Sequence, residues 1–235
     1  MGGPQLTILM PVFNERRTIE AAIADALGAE LPVPQRELIV IDDGSTDGTR
    51  EYLQQREWPD GTLLLLHERN RGKGAALLTG LARASGDFAG VLDADLEYSA
   101  ADLGPMLAPL LDGTTEVVFG VRGFQAHSAF SFWYVVGNKA VTLAANVLFN
   151  SWVSDIMTGQ KLMRTELFRS LRLTQAGFAI EPEITAELLR RGIRIYEVSA
   201  EYNARSRAQG KKLTASDGLR VLLTLVRCRL RLPPK

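Results

Sequence analysis

Apolar runs alternate with helical patterns through the first half of the chain, and each early run ends in a polar cluster. The strand-like segments are Leu6–Val12, Glu37–Ile41, Thr62–Leu66, Phe88–Leu92, Glu116–Gly120 and Ile193–Val198. Between the early ones lie helical stretches: Thr18–Leu27 closed by Gly28, Thr49–Arg56, Lys73–Ser85 closed by Gly86, and Ala100–Leu111 opened by Ser99. Glycine after a helix and serine before one are ordinary stop and start signals. The alternation predicts an α/β fold with a mixed, mostly parallel sheet flanked by helices. With 235 residues, 46% of them hydrophobic, the chain can bury a sizeable core. In such sheets ligands bind outside the carboxyl ends of the strands. "PVFNE", "DDGSTD", "HERNRGKG" and "DADLE" follow the first four strands in turn, so a site is expected along that edge.

The stretch FAGVLDADLEYS, Phe88 to Ser99, begins as a buried strand and then places Asp93, Asp95 and Glu97 at every second position. Alternate residues of an extended chain share a face, so the three carboxylates are expected to crowd together. Like charges at that range repel and raise one another's pKa, and the arrangement calls for a positive partner. Hard oxygens with no His or Cys nearby suit Mg²⁺ or Mn²⁺, which typically take one or two protein carboxylates plus substrate phosphates. A capping pair of Ser99 and Asp102 is also readable, but it leaves Asp93 unexplained. In DDGSTD, Asp42 or Asp43 can accept from a nucleobase N–H or from ribose hydroxyls, with Gly44 permitting close backbone approach.

Several other classes fall away. Gly72-Lys73-Gly74 precedes a helix with Asp93 about 20 residues on, as a nicotinamide fingerprint requires. However, Leu77 stands where the third glycine belongs, and a ribose needs one acid. No G-x-x-x-x-G-K-[ST] loop is present, which excludes a P-loop kinase. Lys plus Arg and Asp plus Glu both number 27, so no net field argues for nucleic acid. The charge is unevenly spread: from Asn203 onward Arg205, Arg207, Lys211, Lys212, Arg220, Arg227, Arg229, Arg231 and Lys235 face Asp217 alone. Cys228 is the only cysteine, which rules out an intrachain disulfide and points to a reducing compartment. The N-terminal apolar run lacks a basic leader and reads as a strand rather than a signal peptide. His67 and His127 show no catalytic or metal-ligand spacing.

Ala129 to Val153 is long, apolar and aromatic at its ends. Its length suffices for a bilayer, but Asn138, Lys139 and Asn146 interrupt it, and a central lysine costs about 2.5–3.5 kcal/mol there. A helix lying in the membrane interface is the better expectation, with a buried core helix as its competitor. Ser216–Leu230 carries Leu219, Leu222, Leu223, Val226 and Leu230 at helical spacing among arginines, suited to packing or to an anionic surface. Cys228 in that helix reads as a plain thiol rather than an acylation site.

In order, "PVFNE", "DDGSTDGT", "NRGKGAAL", "DADLEY" and "GFAIEPEITAELLRRG" resemble the second family of nucleotide-sugar glycosyltransferases, of the Rossmann-like GT-A fold. More narrowly they are similar to its polyprenyl-phosphate branch, the dolichol-phosphate mannose synthases and undecaprenyl-phosphate glucosyltransferases, over roughly residues 5–230. The resemblance implies an inverting, Mg²⁺- or Mn²⁺-dependent hexosyltransferase of envelope biosynthesis, moving a sugar from a UDP-sugar or GDP-mannose to a polyprenyl phosphate. It implies a single domain over residues 1–235, with a nucleotide-sugar half at 5–125 and an acceptor half at 126–235.

Carried over, Pro11, Phe13, Glu15, Ile41 and Asp43 would line the nucleotide pocket. Lys73, Asp93, Ala94 and Asp95 would also touch the donor, and Asp95 with Glu97 would ligate the metal. Arg122 would sit near the donor or acceptor phosphates, with Lys139 a second acceptor candidate. Arg205, Arg207 and Lys212 would form a basic loop on the pyrophosphate, with Asp93, Asp95, Arg122 and Arg205 as the catalytic set. Ala179 stands where mannose synthases tend to have Lys, and Tyr134 and Lys139 fall where they carry an Arg, so "EPEI" and "GKK" lean toward UDP-sugar members. The expected location is cytoplasmic, peripheral on a membrane, with a membrane protein or a second copy as further candidate partners. The alternative is a non-processive transferase acting on a soluble, protein or saccharide acceptor. A processive synthase is excluded by the missing Q-x-x-R-W motif.

Overall fold

The structure, a computed structural model, describes residues 5–123, 132–203 and 215–231. Among these, seven strands form one sheet: β1 (Leu6–Val12), β2 (Arg36–Asp42), β3 (Thr62–Leu66), β4 (Phe88–Val91), β5 (Val117–Arg122), β6 (Lys161–Arg164) and β7 (Tyr196–Ala200). Their order is β3-β2-β1-β4-β6-β5-β7. All neighbours are parallel except the pairings of β6 with β4 and β5. This is the mixed, mostly parallel sheet expected.

The helices are α1 (Ile19–Gly28), α2 (Thr49–Gln54), α3 (Lys73–Leu81), α4 (Leu103–Leu111), α5 (Phe132–Phe149), α6 (Thr165–Ser170), α7 (Ile180–Arg190) and α8 (Ala215–Leu230). A short 3-10 turn, Ala100–Asp102, precedes α4, and the Ser99 hydroxyl caps it by accepting from the Ala101 N–H at 3.2 Å.

Strand alternation divides the core. Leu6, Ile8, Met10 and Val12 of β1 and Leu38 and Val40 of β2 pack with Ile19, Leu103 and Leu107 on one face. Leu9, Ile39 and Ile41 pack on the other face with Leu77 and Leu81 of α3 and Ile184 and Leu188 of α7. Both faces of a parallel sheet are covered, so its central strands read as continuous apolar runs. A third cluster joins α5, α7 and α8 through Ala145, Ala186, Val221, Leu225 and Cys228.

Three elements were not anticipated: β6, α6 and α7. The last strand enters the sheet three residues later than Ile193, because Ile193 and Ile195 pack beneath the sheet before the chain joins it. The α3 helix stops at Leu81; Ser85 leaves it to donate its backbone N–H and hydroxyl to the Glu37 carboxylate.

The α5 helix is inverted relative to an ordinary globular helix. It buries Asn138, Thr142 and Ala145, while Phe132, Trp133, Leu143 and Val147 are 71%, 76%, 61% and 73% exposed. Asn138 donates to the Asp155 carboxylate, and Asn146 exchanges hydrogen bonds with the Val153 backbone. The polar interruptions of the apolar run therefore help to attach it to the protein, beside the apolar contacts of the third cluster. On α8, Val221, Leu225 and Cys228 make the packing contacts, and Leu219, Leu222, Leu223, Val226 and Leu230 face outward. Among the described residues no helix is long and apolar enough to cross a membrane.

Candidate active site

The direction of sheet construction reverses at β1. From it the chain builds outward to β2 and β3 on one side and then to β4 on the other, which leaves a crevice beyond the carboxyl ends of β1 and β4. A cavity of about 410 Å³ opens there. Pro11, Phe13, Glu15, Asp43, Lys73, Asp93, Ala94, Asp95, Glu97 and Arg122 all line it, so most of the residues expected from the sequence converge on one space.

The polar loops at this edge interlock. The Asn14 N–H donates to the Ser45 hydroxyl at 2.9 Å, and the Asn14 amide oxygen accepts from the Thr46 N–H at 2.8 Å. Gly44, at φ +77°, lies so close to the third loop that a Cβ would fall 2.4 Å from the Arg69 carbonyl carbon. The close approach expected at Gly44 is thus to the protein's own backbone. Asp42 is fully buried and paired with Arg50 at 2.6 Å, so it is Asp43 that reaches the cavity wall. Asp43 accepts from the N–H groups of Arg71 and Gly72 at 2.9 and 2.7 Å and meets His67 Nδ1 at 2.7 Å. Three of its roughly four lone-pair sites are thereby occupied, two of them by the Arg71–Gly72 turn and one by His67.

The acidic stretch is not extended beyond β4. Leu96 sits at φ +59°, and the Glu97 N–H donates to Asp95 Oδ1 at 3.0 Å. The acids reach a common cavity through a turn, not through strand alternation. Their partners also differ. Lys73 Nζ lies 2.7 Å from Asp93 Oδ2 and 2.7 Å from Glu181 Oε1, so the positive neighbour of Asp93 in this structure is a lysine. Burial, partly offset by Lys73, still pushes the Asp93 pKa up to about 6. Glu97 Oε2 accepts from the Tyr202 hydroxyl at 2.5 Å.

Arg122, at the end of β5, is buried and forked onto Asp155 through Nε at 2.6 Å and an Nη at 2.9 Å. Its other Nη donates to the Tyr134 hydroxyl of α5 at 2.8 Å. With Tyr98 and Tyr202 these groups form an aromatic wall around one guanidinium. Burial raises the Asp155 pKa, but Arg122 outweighs it and holds the carboxyl below the usual range.

Two expected residues fall elsewhere. Ile41 is wholly buried against α3, where Gly80 makes room for it, because the last turn of strand alternation points it into the core. Lys139 is exposed on α5, donates to the Ser154 carbonyl at 3.3 Å and does not line the cavity. Arg205, Arg207, Lys212 and His127 lie outside the described residues.

Comparison with known proteins settles the family. Residues 7–172 match the model of glycosyl transferase family 2. The chain belongs to that family. Among curated relatives, the glycosyltransferase AglJ of Haloferax volcanii is 31% identical over 199 residues, covering 84% of this chain and 63% of the relative. An undecaprenyl-phosphate 4-deoxy-4-formamido-L-arabinose transferase of Pseudomonas savastanoi is 31% identical over 131 residues, covering 54% of this chain. This chain spans less than two thirds of those two relatives, 63% and 39%. Glucosyl-3-phosphoglycerate synthase of Mycobacterium tuberculosis shares the GT-A fold, with a TM-score of 0.72 and 24% identity over 99% of this chain and 82% of that one.

For a family 2 glycosyltransferase the donor set is informative. Asp95 and Glu97 offer hard carboxylate oxygens on one turn at the edge of the cavity, a set that fits Mg²⁺ or Mn²⁺. Among the described residues no three His, Cys, Asp or Glu side chains form a metal cage; a cation held by Asp95 and Glu97 would take its other ligands from water or substrate oxygens. Glu181, Tyr98, Tyr134, Tyr202 and Phe178 also line the site, and none of them was given a site role from the sequence. Residues 180–189 of α7 are buried on every side yet include three glutamates, and buried carboxylates require partners.

Proposed function

We propose that this family 2 glycosyltransferase transfers a sugar with inversion from a UDP-sugar or GDP-mannose to a polyprenyl phosphate, at a membrane surface and with Mg²⁺ or Mn²⁺. The observation that carries this reading is a single cavity joining the acidic turn to Arg122 and Tyr134, beside a helix whose outer face is apolar and aromatic. The names of its relatives support it: one curated relative is an undecaprenyl-phosphate transferase, and the fold neighbour has been solved with Mn²⁺ and UDP-glucose.

Pro11, Phe13 and Glu15 contact the base and ribose, while Asp43 holds the Arg71–Gly72 turn beneath them. Lys73, Asp93 and Ala94 flank the diphosphate and sugar, and Asp95 with Glu97 hold the cation. A bound divalent cation would neutralise charge developing on the leaving nucleoside diphosphate. Arg205, Arg207 and Lys212 are assigned to the same phosphates. Arg122, kept in place by Asp155, directs a positive edge at the acceptor phosphate. That phosphate is already anionic at neutral pH, so attack on the anomeric carbon needs no general base, and displacement from the opposite face inverts it.

Residues 5–125 form the donor half and residues 126–235 the acceptor half of one catalytic unit, with Arg122 crossing to the acceptor and Arg205, Arg207 and Lys212 crossing to the donor phosphates. The outward faces of α5 and α8 rest on lipid, where Arg220, Arg227 and Arg229 are exposed and each adds about 1 kcal/mol near an anionic surface. The test is transfer from labelled UDP-sugars and GDP-mannose, offered undecaprenyl phosphate in vesicles and a water-soluble phosphorylated acceptor in parallel. A lipid-extractable product is expected; label found only in the soluble acceptor would replace this reading with the soluble-acceptor one.

A further inference from the structure

A run of alternating charges passes from the core to the cavity wall. Lys161 of β6 has no exposed surface, and its ammonium meets Glu181 Oε2 and the Thr158 carbonyl. Glu181 Oε1 lies 2.7 Å from Lys73 Nζ, and Lys73 Nζ lies 2.7 Å from Asp93 Oδ2. Burial drives the Lys161 pKa down, with Glu181 working against it, while both lysines hold the Glu181 carboxyl below its usual range.

The backbone is shaped around this chain. At Gly74, where α3 begins, a Cβ would fall 2.0 Å from the Gln175 carbonyl oxygen, and the Ala75 N–H donates to the Ala176 carbonyl. The start of α3 is therefore pressed onto the segment leading into α7, which brings Lys73 to Glu181. At Gly159 a Cβ would lie 2.7 Å from Asp93 Oδ2 and 3.5 Å from Lys73 Nζ, so the missing side chain is the space the Asp93–Lys73 pair occupies.

Replacing a buried ion chain by apolar residues of similar volume is commonly neutral or stabilising, so stability alone does not account for it. Its geometric effect is definite. A lysine bound to one carboxylate can swing on a four-carbon stem; held within 2.7 Å of two, it is tied to both. We infer that Glu181 is a positioning residue, which through its ion pair restrains Lys73 and so sets the Asp93 carboxylate at one point on the donor side of the cavity. This rests on the transferase reading above.

The experiment compares Lys161→Met with Lys161→Met/Glu181→Gln, a pair that never strands the buried lysine. Melting temperature, nucleoside-diphosphate affinity, and kcat and KM for the donor are measured for both and for the wild type. The expected result is a double variant that melts with the single variant and keeps KM within about twofold while kcat falls at least tenfold. Equal kcat in the two variants would overturn the inference, since Glu181 would then only neutralise Lys161. If neither variant folds, Gly159→Ala moves Asp93 from the cavity side. A tenfold loss of kcat at unchanged melting temperature supports the premise that the placement of Asp93 sets the rate, and wild-type kcat removes that premise and overturns the inference. Wild-type protein without nucleotide affinity or transfer would instead defeat the transferase reading itself, a distinguishable result.

Discussion

Asp93, Asp95 and Glu97 are three carboxylates with three different sets of neighbours, and those neighbours divide the work among them. Asp93 is paired with a lysine, while Asp95 shapes its own turn and Glu97 takes a tyrosine hydroxyl. Asp95→Ala is expected to lower turnover by about 10²–10³-fold, the usual effect of losing one charge-stabilising contact. Steady-state kinetics beside a melting curve would separate that loss from misfolding. Asp155 supports a pH prediction. Its folded pKa lies below the unfolded value, so its pairing with Arg122 stabilises the fold above the ordinary aspartate range and loses that effect as pH falls through the depressed value. Asp155→Asn should cost about 3–5 kcal/mol near neutrality, and its gap in melting temperature from wild type should narrow below about pH 4. At this scale the sequence displayed residue types but not their company. Asp42 and Asp43 are adjacent and chemically alike, and only the direction of β2 sends one to Arg50 and the other to the cavity.

Elements were legible where burial follows a period. The strands β1 to β4 read cleanly because both sheet faces are covered, and the loops after them fell on the expected edge. The strand β6 did not, because Lys161 in a four-residue stretch reads as exposed and is in fact buried by its pairing with Glu181. The α7 helix was hidden for the same reason. The α5 helix was legible as unusual, and the structure adds its direction: Asn138 and Thr142 inward, Phe132, Trp133, Leu143 and Val147 outward. If that face rests on lipid, Leu143→Glu with Val147→Glu should abolish flotation with anionic vesicles. Both side chains are mostly exposed, so stability should change by no more than about 0.5 kcal/mol per site, as thermal unfolding would report.

Over the whole molecule, one topological event places the chemistry. The reversal at β1 opens a crevice, and loops from β1, β2 and β4 meet there with the ends of β5 and β7, which bring Arg122 and Tyr202. Family membership and the edge that carries the candidate site followed from the order of motifs, whereas the aromatic wall around Arg122 depends on pairings between residues far apart in sequence. The central claim is that this crevice binds a nucleoside diphosphate through a cation held by Asp95 and Glu97. Calorimetric titration of UDP and of GDP into the wild-type protein, once with Mn²⁺ and once with EDTA, tests it directly. One of the two nucleotides should bind at least tenfold more tightly with Mn²⁺; equal affinity in both conditions, or binding of neither nucleotide, would contradict the account.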